Sequence, residues 1–358
     1  MRQAMTMQIL QGFLVAMVSA MFALAAGCGG DSGGGSAGGA FGTGSWTGAA
    51  GSWAGAAGTG SGGASAGVLT AGAWDDNRNY STFESYLEYA PLQTKAPELF
   101  TQAEREQAYA ASLQASTTPT ELDIALVIDA TGSMGDEIAW LRADFQGIVK
   151  ELGTLYPGLQ PRWSLISYRD VGEDYLVKTQ TFTTKNEQVQ AELNKLGGGG
   201  GGDYPEAVHA GLAAAAQLSW RKGSVARLVF WAADAPGHDE DAAKTAEAVR
   251  SLRDQDVHVY PVASSGVADR AEYEMRTTAQ FTRGRYLFLT DDSGVGDSHA
   301  EPHLPCYFVT SLRDALVRMI DIEMSGQYRE PAPNEIVRVV GGVSGGRCEA
   351  SASTYYSY

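Results

Sequence analysis

Residues 122–128, LDIALVI, form an almost wholly apolar run, the pattern of a short strand buried on both faces of a sheet. Beyond it Ile138, Leu141, Phe145, Ile148, Val149 and Leu152 recur three and four apart, which lays an apolar stripe along a helix. The same two rhythms alternate as far as residue 324. Strands are predicted at 162–168, 227–232, 257–262 and 285–289, and helices at 187–196, 240–253, 270–280 and 312–324. Residues 176–183 alternate apolar and polar, the mark of an edge strand paired antiparallel with its predecessor. One more helix is predicted from Asp203 to about residue 218, with Pro205 near its first position and an Asp-x-x-Glu cap ending at Glu206. Strand and helix in alternation define an α/β fold: a doubly wound, mostly parallel sheet with one antiparallel edge strand and helices on both faces.

Outside that region the pattern changes. Arg2 precedes an apolar stretch over 9–26, and Ala25-Ala26-Gly27 lead to Cys28. This reads as a signal peptide over 1–27. Its end resembles a bacterial lipobox, although Leu24 sits one place earlier than usual, which implies lipidation of Cys28. An uncleaved anchor is the alternative, since the stretch is nearly long enough to span a bilayer. Residues 29–67 hold 17 of the 44 glycines in the chain. Such a segment buries too little apolar surface to order itself, and a flexible tether of this length reaches roughly 35 Å. The expected organisation is therefore a tether over 28–67, a flanking segment over 68–120, the α/β domain over 121–328 and a tail over 329–358, in which residues 336–343 can add an edge strand. Export and lipid anchoring imply the cell envelope, and Gly29 after Cys28 favours, by resemblance, the outer membrane or surface of a bacterium.

A formal charge of −16 argues against nucleic acid as a partner. With Cys28 lipidated, Cys306 and Cys348 are left, and in an oxidising compartment they are expected to pair. A free buried Cys306 is the alternative. Nothing in the sequence bears on oligomeric state.

The candidate chemistry gathers at one sheet edge. Asp129 ends the first strand, Thr131 and Ser133 follow in the turn, and Asp203 and Asp234 fall at a helix start and another strand end. Each alone reads as a cap or turn residue. Right-handed crossovers, however, bring neighbouring parallel strand ends together. Hard oxygens crowded there suit a divalent cation. Without one, three carboxylates a few ångströms apart repel.

Asp129-Ala130-Thr131-Gly132-Ser133 resembles the Asp-x-Ser/Thr-x-Ser signature of the metal-ion-dependent adhesion site in von Willebrand factor type A domains. The resemblance extends over about residues 121–326. LVFWAADAP (228–236) is similar to that family's strand and loop carrying the last metal-site Asp, and AQFTRGRYLFL (279–289) to its last helix-to-strand passage. GGGDYPEAV (200–208) resembles a variant in which Asp203 stands where familiar members have Thr. The resemblance implies that Asp129 and Ser133 bind Mg²⁺ (or Mn²⁺ or Ca²⁺) directly, with Thr131, Asp203 and Asp234 contributing directly or through water. It also implies a protein ligand captured through an exposed carboxylate. The extra negative charge of Asp203 should tighten the metal and weaken its pull on that ligand. The glycines before Asp203 let backbone approach the metal loop closely. Arg169 and Asp170, at the next strand end, are expected as an ion pair beside the site or simply at the surface.

His299, Glu301, His303 and Cys306 have zinc-ligating chemistry, but Pro302 and Pro305 exclude a metalloprotease helix, and an ordered loop is the plainer reading. Gly30-Asp31-Ser32-Gly33-Gly34 matches a nucleophile motif only by chance in low complexity. No enzyme is expected. The sequence points to a membrane-tethered, metal-dependent protein-binding or adhesion module. Its rivals are a structural envelope protein with a loop-stiffening metal and, less favoured, a metal-dependent hydrolase.

Overall fold

Apolar strands and amphipathic helices alternate through most of the chain, in a computed structural model that describes residues 68–114, 118–202, 204–293, 298–344, 347–351 and 354–357. The expected signal peptide, the lipidated Cys28, the tether and Asp203 lie outside the described residues. The chain enters with β1 (Thr70–Trp74), α1 (Tyr80–Thr94) and α2 (Gln102–Ser112), then β2 (Glu121–Asp129), α3 (Gly135–Leu155), β3 (Arg162–Tyr168), β4 (Val177–Thr183) and α4 (Asn186–Leu193). It continues through α5 (Val208–Ala216), β5 (Val225–Ala233), α6 (Ala242–Asp254), β6 (His258–Ala263), α7 (Asp269–Phe281) and β7 (Tyr286–Thr290). The last elements are β8 (Tyr307–Ser311), α8 (Leu312–Ser325), β9 (Arg338–Val340), β10 (Val343–Ser344), β11 (Arg347–Ser351) and β12 (Thr354–Ser357).

Nine strands form one sheet in the order β4-β3-β2-β5-β6-β7-β1-β8-β9, and β10 to β12 form a separate small one. From β3 to β7 the pairing is parallel. The registers set Asp129 beside Tyr168 and Ile128 beside Ala232, so the carboxyl ends of β2, β3 and β5 lie level at one edge. Successive residues of β2 point to opposite faces. Ala125 and Val127 pack with Leu212, Val249 and Met275 of α5, α6 and α7, while Ile124, Leu126 and Ile128 pack with Phe145, Leu193 and Ile320 of α3, α4 and α8. Burial on both faces is why these strands read as unbroken apolar runs. The α/β class and the mostly parallel sheet are as expected.

The flank is a different matter. β4 is the expected antiparallel edge strand and pairs with β3; β9, within the stretch expected to add an edge strand, pairs antiparallel with β8. The sheet holds a third antiparallel member, β1, wedged between β7 and β8. The segment 68–120 therefore builds the sheet instead of introducing it. Its strand escaped notice because Thr70-Ala71-Gly72-Ala73-Trp74 continues the small-residue composition of the preceding stretch and lacks an apolar run. Behind it Phe83, Tyr86, Ala90 and Ala96 close a satellite core with Tyr273 of α7. Among the described residues no helix is long and apolar enough to cross a membrane.

One helix starts later than expected. α5 begins at Val208, with no side-chain cap at Ala207. Glu206 lies outside it, bridged to Gly237 in the loop after β5.

Candidate metal centre

At the carboxyl end of β2 the chain turns back on Asp129. The Thr131 amide and hydroxyl both donate to Asp129 Oδ1, at 3.0 and 2.7 Å. Asp129 Oδ2 is buried with no hydrogen-bond partner among the described residues, and so is Oδ1 of Asp234. Asp234 follows β5, and the Ser133 hydroxyl hydrogen-bonds its carboxylate. Asp129 and Thr131 are fully enclosed, whereas Ser133 and Gly132 are exposed at the mouth. The structure thus gathers Asp129, Thr131, Ser133 and Asp234 at one edge. The position of Asp203 lies outside the described residues.

The glycine run closes over this turn. Gly199 donates to the Ala130 carbonyl at 3.2 Å. A Cβ on Gly198 would fall 2.9 Å from the Thr131 carbonyl oxygen, and one on Gly200, whose φ is +79°, would collide with the Glu173 carboxylate. Only glycine allows both the approach and the left-handed backbone. Glu173 accepts from the Gly201 amide and so holds the run in place.

A residue read as a helix cap faces the same space. Glu206 donates its amide to the Pro236 carbonyl at 2.9 Å. The Tyr204 hydroxyl donates to the Asp234 carbonyl at 3.4 Å and accepts from the Ala268 amide at 3.1 Å. These bonds stitch 204–206 to the loop after β5. The Glu206 side chain is only 3% exposed, its Oε2 has no partner among the described residues, and it lines a cavity of about 380 Å³ with Thr131, Ser133 and Asp234. Nothing in the spacing separates this role from capping.

The electrostatics follow from crowding. Burial above all, reinforced by the charges of Asp129, Asp170, Glu173 and Asp234, pushes Glu206 up to about 9. Burial, together with Asp234 and Glu173, lifts Asp129 to about 7, and burial raises Asp234 despite the Ser133 hydrogen bond. Buried carboxylates that repel one another favour a bound proton or a bound cation. Unpartnered hard oxygens at a strand edge are the donor set a divalent cation takes, so the residues present fit such an ion. Among the described residues, which omit Asp203, no three His, Cys, Asp or Glu side chains are yet drawn together as a ligand group.

Arg169 and Asp170 part company. The Arg169 guanidinium lies 4.0 Å from Glu173 and 3.7 Å from Asp174, and donates to the Gly197 carbonyl at 3.1 Å. Asp170 instead meets His238 Nε2 at 2.8 Å. The expectation of an Arg169–Asp170 pair gives way to two separate contacts. Arg169 braces the loops around the glycine run, and Asp170 fastens the turn after β3 to the loop after β5. His238, 68 positions away in sequence, carried no signal of this.

The zinc-like residues do not assemble. His299 Nδ1 meets Asp291 at 3.0 Å and its Nε2 meets the Ser265 hydroxyl at 3.1 Å. His303 Nδ1 meets Glu272 at 3.0 Å. Cys306 is disulfide-bonded, so the free-thiol alternative falls; the side chains of Cys28 and Cys348 lie outside what is described. Ser265, His299 and Asp291 stand in the order of a nucleophile, base and orienting acid. Yet the Ser265 hydroxyl also bonds Glu137 Oε1 at 2.7 Å and is 5% exposed. The row ties the loop after β6 and the loop after β7 to α3.

Residues 123–296 match the family model of the von Willebrand factor A domain. The chain is 26% identical over 186 residues to an ariadne-like RING finger protein of Acanthamoeba polyphaga mimivirus, covering 47% of this chain and 18% of that one. It is 28% identical over 118 residues to the alpha-protein kinase vwkA of Dictyostelium discoideum, covering 33% and 19%. The match thus spans about a fifth of the length of these curated relatives. A solved von Willebrand factor type A structure from Catenulispora acidiphila aligns at 15% identity and a TM-score of 0.37, over 48% of this chain and 38% of that one.

Proposed function

We propose that the chain is a metal-dependent protein-binding module of the adhesion type, held at a cell envelope by a lipid on Cys28. The observation that carries this is the pair of buried, unpartnered oxygens, Asp129 Oδ2 and Asp234 Oδ1, behind the exposed Ser133. Asp129, Ser133 and Asp234 would hold Mg²⁺, Mn²⁺ or Ca²⁺, with Thr131 orienting Asp129 and Asp203 supplying further charge. A cation bound there offers a positive centre to an acidic side chain of a partner. The chain's own residues do the rest: Thr131 fixes one oxygen of Asp129, Ser133 reaches Asp234 from the mouth, and the glycine run excludes side chains from the approach. Binding and not catalysis is the reading, because buried, unpartnered carboxylate oxygens at a strand edge suit an ion that is held. A Cys306–Cys348 bridge, tying β11 to the domain, belongs to the same proposal.

The test is capture of envelope proteins by the full-length chain in Mg²⁺, in EDTA, and after Asp129→Ala. Capture lost in EDTA and in the variant, and restored by Mg²⁺, supports the reading. Metal-independent capture sinks it. If EDTA lowers only the melting temperature, the metal stiffens loops and the structural rival takes its place.

A further inference from the structure

We propose that Arg270 and Glu274 of α7 are positioning residues for the cation: they grip the backbone of Gly237 and so hold Asp234 in place to bind it. The inference rests on the cation reading above and goes beyond its residues. Arg270 and Glu274 stand four apart on one helix, hence on one face. Glu274 Oε2 accepts from the Gly237 amide at 2.8 Å, and the Arg270 guanidinium donates to the Gly237 carbonyl at 2.6 Å. One residue's backbone is thus held by both of its polar groups. The two side chains also fix one another, with Arg270 Nε 3.5 Å from Glu274 Oε1. Asp239, 2.6 Å from the same guanidinium, holds it as well.

Gly237 closes a short loop. β5 ends at Ala233, whose carbonyl accepts from the Ser264 amide at 3.0 Å, and only Asp234, Ala235 and Pro236 lie between. Along this loop the Asp234 carbonyl accepts from the Tyr204 hydroxyl, and the Pro236 carbonyl from the Glu206 amide. Those two contacts come from residues 204–206, themselves a loop; the two on Gly237 come from a helix. Groups mounted on helices hold a position more closely than groups mounted on loops. α7 is in turn anchored on its other side, where Asp76 accepts from Arg276.

Packing alone does not account for an acid here. Glu274 is 5% exposed, and a buried ion pair adds little net stability because both charges lose their water. A leucine would fill the space, yet it would leave the Gly237 amide without an acceptor. What the charged pair adds is direction, since charge-assisted hydrogen bonds are short and geometrically specific. Groups that orient a metal ligand from behind are worth about 10–100-fold in metal affinity. Asp234 Oδ1, buried and without a partner among the described residues, is the oxygen such an arrangement would aim.

Calorimetric titration of Ca²⁺ into the full-length protein tests this, together with a count of waters on bound Tb³⁺ from luminescence lifetimes in H₂O and D₂O. Glu274→Leu should weaken Ca²⁺ about tenfold and admit about one more water beside Tb³⁺, as Asp234 drifts from the ion. Leu252→Ala serves as the stability control. It truncates a buried side chain near the C-terminus of α6, lowers the melting temperature, and should change neither readout. Affinity and water count unchanged in Glu274→Leu mark a merely structural pair and overturn the proposal. An equal loss in Leu252→Ala overturns it too. If Asp129→Ala abolishes binding while Glu274→Leu leaves it intact, the cation reading stands and this inference alone falls. If wild type binds neither ion, both fall. Should Glu274→Leu not fold by circular dichroism, Arg270→Leu, which removes the donor to the Gly237 carbonyl, is held to the same criteria.

Discussion

Arg276 on α7 donates to both carboxylate oxygens of Asp76, at 3.1 and 2.7 Å, and both side chains are sealed from solvent, at 1% and 2% exposure. Asp76 follows β1, so this pair fixes the amino-terminal flank to the heart of the domain. Glu272 lies 3.2 Å from the same guanidinium, and the ring of Tyr86 stacks over it at 4.0 Å. Asp76→Ala leaves part of a buried cation without its acid. Breaking a buried pair in this way costs about 3–5 kcal/mol, which urea unfolding followed by circular dichroism will measure.

The domain boundary can be tested directly. A chain that starts at residue 121 lacks β1 and exposes the facing edges of β7 and β8. Unpaired edges recruit other chains, so that form should aggregate or melt without cooperativity. A chain that starts at residue 68 should stay soluble and melt in one transition.

Acid will act on the flank through Glu104. Its hydrogen bond from Arg250, foremost, and those from Thr101 hold its carboxyl down to about 2. A depressed acid adds stability above its unfolded value of about 4.5 and loses it as pH falls toward 2. Glu104 also completes the capping box of α2. Because the pair is partly exposed, Glu104→Gln should cost only about 1 kcal/mol at pH 7. The difference from wild type should close by pH 2 in a pH series of denaturant melts.

Loop closure over the site depends on Gly198 and Gly200. Gly200→Ala must clear Glu173 and leave a left-handed backbone, at a cost of about 1–3 kcal/mol of local strain. If the cation reading holds, the melting-temperature rise on adding Ca²⁺ should shrink in this variant. The helical signal in circular dichroism should not change.

Much of this architecture could be read in advance because β2, β3 and β5 are buried on both faces and so spell apolar runs. Asp129 and Asp234 stood out because they end such runs. The strand β1 did not, since Ala71, Gly72 and Ala73, which pair with Leu289, Phe288 and Leu287, are small, Gly72 lying directly on the Phe288 ring, and smallness there looks like linker. Glu206 was masked by its spacing from Asp203, which copies a helix cap; only the late start of α5 turns it toward the cavity. The Asp170–His238 contact joins two loops through the fold, and no local pattern announces such a pairing.

The direction of β1 has a mechanical consequence. Thr70 lies opposite Thr290 at the end of β7 and beside Ser311 of β8, which puts it on the edge shared with Asp129. A pull on the backbone ahead of Thr70, directed away from that edge, acts along the axis of β1. Its ladders to both neighbours are then strained in shear, all together, and do not unzip rung by rung. Tension between an upstream anchor and a partner gripped at the strand ends would fall on a strand hydrogen-bonded on both sides.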